Sequence, residues 1–431
     1  MYALLDANTF YVSVERLFRP SLVGRPVIVL GLNDGCTISR SEEAKALGIA
    51  MGAPWFQIRH LEQSHGLVAL SSNMALYGEI SERLMSLAAG LGTATEVYSC
   101  DEVFVDLRNV PDATRRAWAV RARIERWIGI PCGVGIGATK TLAKLANLCA
   151  KSAERKPGSY PAKLAQVCNF AELTEAEMRQ IFECTPVTDV WGIGKKIGAS
   201  LVEAGVWNVQ LLRQLDPGTV RRRWSLTLER TVRELQGLSC IALDDAPPAK
   251  QMIACTRTFG HPVKELPPLL EAVSEFAIRA SERLRKQDGR AGQVHVFART
   301  SPHRPGLRFN GSIVVPLLRP SADTRLLVEA AMAGMRAIYK PGYELVNAGV
   351  VLMDLIGPEI DQGELNFHEP PARDLGPLMK TMDAINARYG KGTLQVASAG
   401  QSKASKEWSA RQDRRTPRYT TEWSEMPTVR A

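Results

Sequence analysis

The 431-residue sequence has no apolar run approaching the roughly 18 residues that a membrane-spanning helix needs. Its first apolar stretch, YALL, meets Asp6 before the core of a signal peptide could form. Eight cysteines are present without a single C-x-x-C pair, which removes the signature of a zinc ribbon or a dithiol redox site. The six histidines are scattered, so no structural metal site is read from them. These absences leave a soluble, cytoplasmic chain with no membrane role as the expectation, its cysteines acting as small apolar residues in a reducing compartment.

What is present is a globular composition, 45% hydrophobic, with a formal net charge of +9. Such a balance suits an anionic partner, and by itself does not separate nucleic acid from a membrane surface. At roughly 100 to 200 residues per domain, the length predicts three or four domains.

Along the first 150 or so residues, short apolar strands alternate with amphipathic helices. YALLD reads as a strand and NTFYVSVERLF as the helix after it. GRPVIVLGLNDG is a second strand with its turn, and SEEAKALGIAMG a helix closed by Gly52. The segment LYGEISERLMSLAAGL is a longer helix, and ATRRAWAVRARIERW another, over 113–127. IPCGVGIG is a strand that runs into the helix GATKTLAKLANLCAK. At about 100° per residue, Lys140, Lys144, Asn147 and Lys151 fall in one stripe of that helix, either facing an anion or forming an ordinary solvated face.

Residues 170–235 have a helical composition and contain VWGIGKKIGASLVEAGVW. Its G-I-G turn, Gly192 to Gly194 followed by Lys195 and Lys196, suits a helix-hairpin-helix whose amides approach a phosphate, or simply a tight connection. LDDAPPAK, at 243–250, has the composition of a linker. After it the pattern is β-α-β-β-α-β, a ferredoxin-like split βαβ module over 249–355. Between 249 and 310 there are eleven Lys and Arg against five Asp and Glu, a local excess of six positive charges that favours nucleic acid. From about 356 the chain is poorer in strands apart from the helix PLMKTMDAINARYG, and its last thirty residues are expected to be weakly ordered or partner-dependent.

The chemistry gathers at YSCDEVFVDL. Two strand-like flanks meet at Asp101 and Glu102, where a tight corner could turn successive carboxylates towards one point, although solvated turn residues would look the same. Asp6 ends the first strand immediately before a helix N-terminus, a setting that favours phosphate. If that strand pairs beside the corner, Asp6, Asp101 and Glu102 supply hard oxygen ligands for Mg²⁺, and two such ions suit phosphoryl or nucleotidyl transfer. A competing pattern, G-V-G-I-G-A at 133–138, formally satisfies the dinucleotide fingerprint but lacks its acidic partner at the end of a second strand.

DANTFYVSVE, YSCDEVFVDL, GVGIGATKTLAKLANLCAK and VWGIGKKI, in this order and spacing, resemble the Y-family translesion DNA polymerases, and among them the bacterial UmuC type. NDGCTISRSEEAKALGIAMGAPWF, SSNMALYGEIS and the terminal PRYTT extend the likeness along almost the whole chain. The resemblance implies an α+β, multidomain right-hand polymerase. Its palm would occupy 1–169 with short fingers inserted at about 20–75, its helical thumb 170–240, its little finger 249–355 and a partner-binding tail 356–431. It implies DNA-directed, error-prone translesion synthesis in the SOS response, acting on primer-template DNA and dNTP. Asp6, Asp101, Glu102 and the Ala7 carbonyl would bind two Mg²⁺ ions, Tyr11 would be a steric gate against the ribose 2′-OH, and Lys151 would contact the triphosphate. Where many members carry Y-x-x-R in the fingers, this chain has Glu42 and Lys45, so Lys45 and Arg40 are the candidates for that contact. A processed UmuD-like dimer, a RecA filament and a sliding clamp are the implied partners, the clamp through the shortened motif QGELNFHE at 362–369. A scaffold that kept the fold and lost the chemistry is the alternative.

Overall fold

The computed structural model describes residues 1–244, 249–302, 306–357, 359, 375–390, 392–400 and 408–428. The clamp-like motif at 362–369 lies outside them. The chain divides into two compact units. The first comprises Met1–Gly31, Cys36–Pro247 and Arg414–Ala431, and the second Leu32–Gly35 with Pro248–Asp413.

In the first unit, strand β1 (Tyr2–Ala7) leads into the helix Phe10–Phe18, and β2 (Val27–Leu30), β3 (Thr37–Arg40) and β4 (Val68–Ser71) form a small sheet in the order β3-β2-β4. The main sheet has the order β5-β6-β1-β7-β8, built from β1 with β5 (Thr95–Val97), β6 (Glu102–Asp106), β7 (Cys132–Gly137) and β8 (Val167–Asn169). Side chains alternate across a strand. Ala3, Leu5 and Ala7 of β1 therefore share one core with the helices Met74–Ala89 and Ala113–Trp127, while Tyr2, Leu4 and Phe104 pack on the opposite face with Ala143. The same parity puts Asp6 on that second face, which the helix Lys140–Arg155 covers.

That helix sits against bare backbone. A Cβ on Gly133, Gly135 or Gly137 would stand within 3 Å of Asn147, Ala143 or Leu142 atoms. The alternating glycines of CGVGIG thus serve close helix-to-sheet packing, and the dinucleotide fingerprint is fortuitous. The far side of the helix shares a core with the helical stretch that follows, through Ala146, Cys149 and Ala150 against Phe182, Leu201 and Val232.

Two expectations are corrected. The helix predicted over 41–52 is only Glu42–Ala46, capped by the Ser41 side chain, because Gly48 adopts φ +76° and ends it a turn before Gly52. Within the last thirty residues, the stretch 414–420 is docked rather than loose. Arg414 exchanges backbone and side-chain hydrogen bonds with Ser71 at the edge of β4, Tyr419 stacks on Phe18 with centroids 4.6 Å apart, and the Thr420 hydroxyl donates to Glu79.

The second unit carries the expected succession: β9 (Ile253–Val263), helix Leu266–Arg285, β10 (Arg290–Thr300), β11 (Asn310–Ser321), helix Thr324–Ile338 and β12 (Leu345–Ile356). Its sheet order is β11-β10-β12-β9 with every neighbouring pair antiparallel. The helix Gly376–Tyr389 docks on this unit through buried Met379 and a bidentate pair of Arg285 with Asp383 at 2.7 Å.

Candidate active site

The register of β1 with β6 sets Asp6 directly opposite Glu102, and the Ala7 amide donates to the Asp101 carbonyl at 2.9 Å. The corner between β5 and β6 is held by Ser99, whose hydroxyl donates to Asp101 Oδ1 at 2.6 Å and accepts from the Glu102 amide at 3.1 Å. The three acids predicted from the sequence therefore come to one end of the sheet. Just beyond β1, Thr9 has φ +46°, a left-handed conformation rare outside glycine, as the backbone turns from the strand into the helix Phe10–Phe18.

The lysine stripe is not a solvated face. Lys144 Nζ lies 3.1 and 3.0 Å from the two Glu102 oxygens, Lys151 pairs with Asp6 Oδ1, and Asn147 Nδ2 donates to Asp6 Oδ2 at 3.1 Å. Lys140, almost wholly buried, pairs with Glu96 and donates to the Ala242 carbonyl at 2.6 Å. The stripe faces anions, as one of the two readings held, and those anions are the protein's own carboxylates. Burial, and then the neighbouring Asp6, push the Glu102 carboxyl above its ordinary value, and Lys144 opposes both. Tyr98 and Trp191 flank the same ammonium, at 4.3 and 5.3 Å from their ring centroids.

Among the described residues, no group of three His, Cys, Asp or Glu side chains stands ready to hold a metal by itself. The donor chemistry nonetheless suits a hard divalent cation that takes few protein carboxylates and fills its shell with water and phosphate oxygens. Asp6 and Glu102 face each other and are neutralised here by lysine ammonium groups. The Asn147 side-chain oxygen beside Asp6 is buried with no hydrogen-bond donor.

Tyr11 is half-buried. Its ring stacks on Tyr77 at 4.7 Å and its hydroxyl meets Cys100 Sγ at 3.3 Å. Burial, followed by the bond to Cys100, raises its phenol pKa. Lys45 and Arg40 are engaged elsewhere: Lys45 pairs with Glu42 at 2.7 Å, and the Arg40 guanidinium donates to the Ile49 carbonyl. Gly192 has φ +86°, Gly194 caps the helix Lys195–Glu203, and Lys195 and Lys196 are exposed in its first turn. Sequence reasoning missed Ser99 as the brace of the corner and Tyr98 with Trp191 beside Lys144. The S-x-D-E spacing was the available signal for the first. Contacts between residues about 90 positions apart left none for the second.

Fold and site together define a Y-family DNA polymerase of the translesion class. Among solved structures, a Y-family chimera of the polymerases Dbh and Dpo4 has the same fold. Its TM-score is 0.64 at 16% identity, and the match covers 83% of this chain and 99% of that one. Models of the impB/mucB/samB family match residues 5–147, and of its C-terminal domain residues 250–366, while a domain of unknown function (DUF4113) matches residues 377–429. Protein ImpB and Protein UmuC of Salmonella typhimurium are each 38% identical, over the full length of both chains. DNA polymerase IV 1 of Bacillus subtilis is 24% identical over 93% of this chain and 94% of its own length. The chain belongs to the impB/mucB/samB family. It is a DNA-directed DNA polymerase of the kind that carries out error-prone translesion synthesis in the SOS response, and its chemistry depends on a divalent metal. No observation favours the scaffold alternative. No helix among the described residues is long and apolar enough to cross a membrane.

Proposed function

We propose that the chain adds dNTP to a primer 3′-OH on a DNA template with two Mg²⁺ ions held by Asp6, Asp101, Glu102 and the Ala7 carbonyl. The observation that carries this is the direct pairing of Asp6 with Glu102 across β1 and β6, next to a corner that presents Asp101. Bound Mg²⁺ supplies positive charge to the attacking and leaving oxygens. Asp6 and Glu102 are half-buried acids already matched by lysine charge, so a bound cation would take over at the carboxylates a role that ammonium groups fill here. Lys151, seated at Asp6, is the residue we assign to the incoming triphosphate, and Tyr11 is assigned to exclusion of the ribose 2′-OH by overlap with its ring. Lys45 and Arg40 are secondary candidates for triphosphate contact, because their partners are Glu42 and the Ile49 carbonyl and not one of the three acids.

Gly192, Gly194, Lys195 and Lys196 are assigned to the DNA backbone, where exposed amides and ammonium groups suit phosphate. The basic sheet module of the second unit takes the duplex without reading sequence. A processed UmuD-like dimer, a RecA filament and a sliding clamp complete the reading, in the cytoplasm. The test is primer extension in Mg²⁺ by Asp101→Ala. Its kcat should fall by more than the roughly 10- to 100-fold that losing an outer-shell partner of a metal costs, with DNA affinity little changed. Near-parental extension would sink the assignment.

A further inference from the structure

Behind Tyr11 lies a chain of contacts that ends far away in sequence. The Tyr77 ring stacks against Tyr11 at 4.7 Å with 22° between planes, and the Tyr77 hydroxyl donates to Glu15 Oε1 at 2.6 Å. The same carboxylate oxygen accepts from the Thr416 hydroxyl at 3.1 Å. Asn73 Nδ2 fixes Thr416 in turn, lying 3.2 Å from its hydroxyl oxygen and 3.1 and 3.0 Å from the carbonyls of Thr416 and Pro417. Glu15, Tyr77, Asn73 and Thr416 are all buried, with 0%, 1%, 2% and 4% of their surface exposed.

We propose that Thr416, in the docked C-terminal segment, is a positioning residue for sugar selection, acting through Glu15 and Tyr77 on the tilt of Tyr11. This rests on the assignment of Tyr11 as the gate. A carboxylate this deeply buried is tolerable only while hydrogen-bonded. Glu15 Oε1 has two hydroxyl donors, and Oε2 has none among the described residues. Loss of the Thr416 hydroxyl leaves Tyr77 as the one hydroxyl donor to that oxygen, so the carboxylate and the Tyr77 hydroxyl readjust together. Tyr11 follows, because its own hydroxyl meets only a weakly accepting thiol sulfur and its ring is set by the stack on Tyr77. A segment whose sequence places it some 400 residues from the gate thereby contributes to how closely the gate closes on a sugar.

The experiment uses the full-length chain and compares kcat/KM for ribonucleotide and deoxyribonucleotide incorporation on one primer-template, with a thermal melt of each variant. Thr416→Val should raise the ribonucleotide share several-fold, well inside the roughly 10- to 150-fold that one hydrogen bond to a charged acceptor commands. Thr416→Ser keeps the hydroxyl and should restore parental selection. Tyr77→Phe cuts the same link from the other side and decides the matter if Thr416→Val melts below the assay temperature. Tyr11→Ala is the control. If it relaxes sugar choice while folded Thr416→Val and Tyr77→Phe discriminate like the parent, the proposal is overturned and the gate stands. If Tyr11→Ala itself leaves sugar choice unchanged, the gate assignment fails and takes the proposal with it.

Discussion

Replacing Gly135 by Ala adds a single methyl group, yet it should damage both stability and catalysis. The new Cβ would stand 2.1 Å from the Asn147 amide nitrogen, 2.3 Å from the Ala143 carbonyl oxygen and 2.6 Å from the Asn147 Cα. All three are backbone atoms, so no rotamer change relieves the overlap, and the helix Lys140–Arg155 must withdraw by roughly 1 Å to restore ordinary contact. Overpacking a close-packed interior costs about 1–3 kcal/mol, and more where backbone must move. In a unit of this size, at about 2–4 °C per kcal/mol, that is a fall of about 2–12 °C in Tm. The same withdrawal carries Lys144, Asn147 and Lys151 away from Glu102 and Asp6, and a misplacement of about 1 Å can cost on the order of 100-fold in rate. Thermal unfolding and primer extension in Mg²⁺ measure the two effects. Gly78→Ala is the matched control. It sits within the helix Met74–Ala89 with nothing within 4 Å of a new Cβ, and should stabilise by about 0.4–1 kcal/mol. A Gly135→Ala variant that melts and extends primers like the parent would refute the account of how the helix is seated.

Burial raises the Glu15 carboxyl pKa, against the hydrogen bonds from Tyr77 and Thr416 that lower it. For a group raised on folding, the stabilising contribution is full below its unfolded value of about 4.3 and is lost as pH rises through the raised value. Glu15→Gln should therefore gain Tm relative to the parent as pH rises from the unfolded value through the raised one, and a pH-independent difference would contradict this. Lys195→Ala with Lys196→Ala should weaken DNA binding and make the slope of log affinity against log salt shallower by about 2, as fits two lost phosphate contacts. An unchanged slope would move the proposed phosphate contacts elsewhere.

Much of this architecture was legible because local signals agreed with the global fold. The short apolar run of YALLDA, the 15-residue helix Ala113–Trp127 and the βαββαβ succession all follow from hydrophobic patterning, and their elements appear close to where the patterns end. The acidic corner was legible for the opposite reason, since charges inside a strand-like stretch are a local conflict that a functional site explains. Less legible were features decided by contacts distant in sequence. CGVGIG formally matched a dinucleotide fingerprint, and only the helix pressed onto it explains three alternating glycines. The lysine stripe was ambiguous until Asp6 and Glu102 appeared across from it. The polar, proline-containing end of the chain has the composition of a loose tail. Its anchoring depends on Glu15, Phe18, Ser71 and Glu79, all far earlier in the chain, which no window of sequence displays.

The docking of Arg414–Thr420 also bears on the order in which the protein can be made. A ribosome releases Glu15 and Tyr77 early, and those two can find each other as soon as the helix Met74–Ala89 has emerged. Thr416 appears only after the whole second unit has been synthesised. Until then the carboxylate lacks one of its two hydroxyl donors, the edge of β4 lacks its Arg414 partners, and Phe18 lacks the ring of Tyr419. The first unit is thus closed by residues made only after the whole second unit. A nascent or prematurely terminated chain carries all three acids in an incompletely closed unit, which leaves it more open to proteases than the mature polymerase.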